Sequence, residues 1–142
     1  MVPVNYLAVL ACAIASMAIG FLWYGPLFGK TWSTLMGWGE MTPEKMAELQ
    51  KKARPAYAVS FVGALAMAFV LSHSLVFAST YLNTSGISAG LQTGFWTWLG
   101  FVAPVTIGSV LWDGKPWKLW FINAGYYLAL LLVMGVILAL WV

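Results

Sequence analysis

Four stretches of the chain, at about 4–28, 56–79, 87–112 and 117–141, are almost continuously apolar. Each is long enough for an α-helix to cross the hydrocarbon core of a bilayer, which needs about 20 residues. Polar residues gather between them. The pattern predicts an all-α, integral membrane four-helix bundle that forms one transmembrane domain over 1–142.

Punctuation agrees with the apolar pattern. Pro26 lies where span one should end or kink, because proline lacks an amide hydrogen and clashes with the preceding turn. Asn83 and Gly86 mark a short uncharged turn, and Asp113-Gly114-Lys115-Pro116 a tight one. The longest polar connection runs from Lys30 to Arg54. Its Trp32, Leu35, Met36 and Trp38 suggest a piece lying in the membrane interface. Thr42-Pro43-Glu44 then reads as a helix start, with Thr42 as cap and Pro43 in the first helical position. Met46, Leu49 and Ala53 give the segment one apolar side, and Glu48 and Lys52 are four apart. The expectation is a short amphipathic helix on the membrane surface, or a solvated hairpin linker, ending before span two begins near Ala56.

Composition reinforces this reading. Of 142 residues, 62% are hydrophobic and 8% charged, against roughly a quarter charged in soluble domains. Lipid is the solvent that suits such a chain. The net charge of +3 is not a nucleic-acid signal, because the seven basic residues sit in two short connections. Lys30, Lys45, Lys51, Lys52 and Arg54 lie in the first connection, and Lys115 and Lys118 in the third. The positive-inside rule places both connections in the cytoplasm and both termini outside, as expected for a protein of a bacterial cytoplasmic membrane. Trp23, Trp32, Trp38, Trp112, Trp117 and Trp120 fall near the basic boundary and Trp141 near the other, where indoles anchor helices. The first apolar run lacks the basic start of a secretory signal and reads as a retained helix.

The inventory of reactive groups is thin. One Cys and one His, with no buried carboxylate, do not supply a usual metal or haem shell. No second histidine or buried acid is present to complete a triad, so no catalytic residue, metal ligand or cofactor is assigned and an enzyme is not expected. His73 is the one ionisable side chain well inside a span, which marks it as a candidate polar site. Gln92, Asn123 and Tyr126 join it as groups that could line a narrow path or bond across helices. Small residues recur every four positions. Gly86, Gly90 and Gly94 open span three, and Ser60, Ala64, Ala68 and Ser72 run along span two. Such rows let helix backbones approach closely, either within one chain or across an oligomer interface. A weak internal echo relates Ile19-Gly20-Phe21-Leu22-Trp23-Tyr24-Gly25 to Ile107-Gly108-Ser109-Val110-Leu111-Trp112-Asp113-Gly114.

Three segments carry a resemblance. Asn5-Tyr6-Leu7-Ala8-Val9, the stretch from Trp23-Tyr24-Gly25-Pro26 to Trp32, and Ile122-Asn123-Ala124-Gly125-Tyr126 look like a bacterial membrane family, domain-of-unknown-function family 1761. The resemblance implies a small four-span protein and carries over no activity, cofactor or catalytic residue. The functional expectation is a non-enzymatic oligomeric scaffold or accessory subunit of a membrane complex, with membrane lipid and further protein copies as partners. The alternative is a small channel or transporter with a polar path near His73.

Overall fold

A computed structural model describes residues 2–141. Every regular element among them is helical, and four helices are long and apolar enough to cross a membrane. Helix α1 (Tyr6–Leu22) is capped by Asn5, whose side chain accepts the Leu7 and Ala8 amides. It continues as a π-turn over Trp23–Leu27 and is followed by α2 (Gly29–Leu35). Helix α3 (Pro43–Leu82) and α4 (Gly86–Thr97) come next. Span three then passes through a second π-turn, Trp98–Val102, into the short helices α5 (Ala103–Thr106) and α6 (Gly108–Leu111). Helix α7 (Trp117–Leu140) closes the bundle.

Helix α7 is the centre of the packing. It touches α1, α3 and α4, and its face against α4 is the most extensive in the molecule. Leu130, Leu131 and Met134 are buried along it, facing Ala8, Cys12, Ala68 and Leu71 of the other spans. Asn5 Nδ2 donates to the Trp141 carbonyl at 3.0 Å, so both ends of the chain meet at one end of the bundle. Lys30, Lys115 and Lys118 lie at the opposite, basic end.

Turn chemistry follows local sequence. Asn83 takes a left-handed conformation that ends α3, and Gly114, at φ +67, turns the chain between spans three and four. Thr42 caps α3 through its hydroxyl and Pro43 opens it, as the sequence predicts.

One expectation needs correction. The amphipathic segment is not a separate short helix: α3 runs unbroken through Pro55 for 40 residues, or roughly 60 Å at about 1.5 Å per residue. A bilayer core takes up only about 30 Å of that. Pro55 removes a single helical hydrogen bond, the one to the carbonyl of Lys51. Lys51, Lys52 and Arg54 are exposed, so that carbonyl lies on a wet surface and its loss of a partner is cheap. The helix therefore continues as an arm. The Lys52 ammonium lies 2.7 Å from the Glu48 carboxylate, which keeps the carboxyl below its usual range by hydrogen bonding and charge.

Candidate functional site: the crevice at the basic end

Two π-turns shape the basic half of the bundle. Pro26 would collide with the carbonyl one α-turn before it, and widening the helix relieves the clash. The Phe28 amide accordingly donates to the Trp23 carbonyl, five residues back. Span three repeats the device ahead of Pro104, where the Ala103 amide donates to the Trp98 carbonyl. Each π-turn thus opens on a Trp-x-Gly triplet, Trp23-Tyr24-Gly25 and Trp98-Leu99-Gly100.

Both indoles clamp the same turn of α7. Trp23 Nε1 donates to the Ile122 carbonyl at 2.9 Å and Trp98 Nε1 to the Ala124 carbonyl at 2.8 Å. Between those carbonyls stands Asn123, whose Oδ1 accepts the Tyr24 hydroxyl at 2.9 Å. Gly125 leaves room for the Trp23 ring, since a Cβ there would come within 3.2 Å of it. The Tyr126 hydroxyl donates to the Ser16 carbonyl at 3.3 Å, and its ring lies 5.3 Å from that of Tyr24. Two of the three segments that carry the family resemblance, Trp23-Tyr24-Gly25-Pro26 and Ile122-Asn123-Ala124-Gly125-Tyr126, are therefore partners in one contact.

Beside this contact opens a crevice of about 690 Å³. Tyr24 and Trp32 form one wall, the Thr106–Asp113 end of span three another, and Trp120, Asn123 and Tyr127 the floor along α7. Thr106 is fixed there because its hydroxyl accepts Trp120 Nε1 at 3.0 Å and donates to the Val102 carbonyl. Asp113 is the one charged side chain in the lining.

Asn123→Ala should lower bundle stability by about 1 kcal/mol, in the range of hydrogen bonds between membrane helices. Tyr24→Phe should cost a similar amount. The double variant should be no worse than the poorer single one when unfolded by titration with dodecyl sulfate. Additive losses would show that the two side chains act independently.

The structure brings Asn123 and Tyr126 together through Tyr24. Gln92 lies elsewhere, in a crevice of about 240 Å³ between α3 and span three, with its amide donating to Ser88 Oγ at 3.0 Å. His73 is half-buried on α3, where its Nδ1–H donates to the Phe69 carbonyl at 2.9 Å. Gly90 and Gly94 pack inside the chain. A Cβ on Gly90 would strike the Gly135 carbonyl, and one on Gly94 the Leu131 carbonyl. Gly86 opens α4 at φ +64 and meets nothing. Ser109 and Tyr127, polar groups that the sequence places in or near spans, line the crevice, and Trp98, one of the two deeper tryptophans, packs against α7 and bonds to it. The repeated Trp-x-Gly triplet was the available signal for Trp98.

The model of a family described as a protein of unknown function (DUF1761) matches residues 7–139. The chain belongs to the DUF1761 family. The match takes in the whole Trp23–Ile122 and Tyr24–Asn123 contact of this DUF1761 protein. No curated protein and no solved structure matches the chain.

Proposed function

We propose that this DUF1761 protein is a non-enzymatic scaffold or accessory subunit of the bacterial cytoplasmic membrane. In this reading it works as an oligomer or within a larger complex, with its basic end in the cytoplasm. The observation that carries the reading is the course of α3. Ala56, Ser60, Ala64, Ala68 and Ser72 form one row of small residues at intervals of four. Ala64, Ala68 and Ser72 are buried in the bundle, whereas Ala56 and Ser60 are exposed. Tyr57 and Val59 beside them are 68% and 72% exposed. The row that seats α3 on its own chain thus continues, unoccupied, where α3 leaves the bundle. Close helix approach needs such rows because lipid supplies no hydrophobic drive between helices. A helix of a second copy or of a partner fits that continuation, and the arm beyond it offers exposed Lys45, Lys51, Lys52 and Arg54 to the same neighbour.

The geometry favours assembly over transport. A path near His73 within one chain would need Gln92 and Asn123 along one line, and they face different crevices.

Cross-linking in native membranes tests the proposal. In a Cys12→Ser background, Ser60→Cys treated with a short bis-maleimide should give one discrete band above the monomer. Phe21→Cys, on a lipid-exposed face of α1 at 76% exposure, should give none. A monomer alone with Ser60→Cys, or equal bands from both variants, overturns the reading.

A further inference from the structure

We propose that the crevice at the basic end holds the ammonium group of a zwitterionic phospholipid headgroup. This goes beyond the assembly proposed above and does not depend on it. Three observations point to an organic cation. Five aromatic side chains line the crevice: Tyr24, Trp32, Trp112, Trp120 and Tyr127. The only charged residue among the lining is Asp113, an acid. The crevice has a volume of about 690 Å³ and is open, so a headgroup can enter without displacing a helix. Aromatic faces attract ammonium ions through the ring quadrupole, most strongly for Trp. A carboxylate at the rim adds attraction of the same sign and repels anions.

Two further observations select a phospholipid as the source of that cation. The crevice lies at the end of spans one and three and at the start of span four, where the chain leaves the apolar helices. That is headgroup depth. Trp112, at 87% exposure, projects from its rim. Outside the lining, Lys115 lies in the Asp113 turn and Lys118 in the first turn of α7, and both are exposed. A zwitterionic headgroup places its ammonium among the rings and beside Asp113, and its phosphate toward these lysines. An anionic headgroup satisfies only the lysines and leaves the rings and the acid without a cation.

Native mass spectrometry of the detergent-solubilised protein tests this. Phosphatidylethanolamine and phosphatidylglycerol with identical acyl chains are titrated separately, and tetramethylammonium chloride is added as a soluble competitor. The ethanolamine lipid should bind more tightly than the glycerol lipid, and the soluble cation should displace it. Asp113→Asn should weaken ethanolamine-lipid binding roughly five-fold, as should Trp112→Ala, while glycerol-lipid binding stays unchanged or improves. Both positions are exposed and Asp113 lies in a turn, so both variants should retain the parent's unfolding midpoint. Equal affinity for the two lipids overturns the proposal. So does a preference untouched by Asp113→Asn and Trp112→Ala, or binding of the soluble cation without any lipid preference.

Discussion

Gly135→Ala should destabilise the bundle by about 3 kcal/mol, the upper part of the range for overpacking a tight core. A single methyl group suffices because of where it would land. A Cβ on Gly135 meets the backbone carbonyl of Gly90, and a Cβ on Gly90 meets the carbonyl of Gly135. Neither obstacle is the flexible end of a side chain. Relief requires α4 and α7 to separate, and theirs is the largest helix–helix face in the molecule. That face includes Ala89, Leu131 and Leu138, all buried, so separation loosens many dispersion contacts together. Gly90→Ala should cost a similar amount. The double variant should cost less than the two losses added, since a helix pair once separated accommodates both methyls. Gly63→Ala is the control. Nothing lies within 4 Å of a Cβ there, and alanine in an open helix interior should gain up to about 1 kcal/mol over glycine. Unfolding by dodecyl sulfate, followed by circular dichroism, reads all four proteins. A Gly135→Ala midpoint equal to that of Gly63→Ala would show that the close crossing of α4 and α7 does not bear on stability.

What could be read from the chain itself was what lipid and local turn chemistry enforce. Span positions follow from bilayer thickness and the need to satisfy each backbone group inside its own helix. The cap at Thr42, the start at Pro43 and the turn at Gly114 follow from residues next to one another. Continuity of α3 through Pro55 was not legible. A proline ends a helix only when the freed carbonyl and the ring clash cannot be accommodated, and that depends on whether the surface is wet. The spacing of Gly90 and Gly94 announced close packing but not its partner, because Gly135 is more than forty residues away along the chain. The echo read between 19–25 and 107–114 does not coincide with the structural equivalence between spans one and three. Sequence similarity aligned Trp23 with Trp112, yet the residue with the same role as Trp23 is Trp98. Trp112 instead stands exposed at the crevice rim. Similar letters set the first alignment, whereas the π-turn and the indole bond to α7 define the equivalence that matters.

That equivalence makes a second large prediction. Trp98→Ala should lower stability by about 3 kcal/mol, near the low end for removing an indole, because the side chain is half-buried. Trp98→Phe should cost only about 1 kcal/mol: most of the ring contact survives and one hydrogen bond to the Ala124 carbonyl is lost. Trp23 should show the same separation between Ala and Phe. Its ring also packs on Phe28, at 4.8 Å between centroids, and against Gly125, so Trp23→Ala additionally releases the strand of chain that leads into α2. The Ile122 and Ala124 carbonyls are only two residues apart on α7, and each indole reaches its own from a different span. Losing one removes the indole bond of one span to this turn of α7, and losing both leaves the Tyr24–Asn123 bond as the remaining side-chain hydrogen bond from a π-turn to it. The double Phe variant should therefore lose more than the two single losses combined, and amide exchange over 23–28 and 98–103 should quicken in it before the rest of the bundle opens. Equal losses for Trp98→Phe and Trp98→Ala would instead assign the whole contribution to the donated hydrogen bond. A Phe variant as stable as the parent would assign it to ring packing alone and leave the π-turn without a polar restraint.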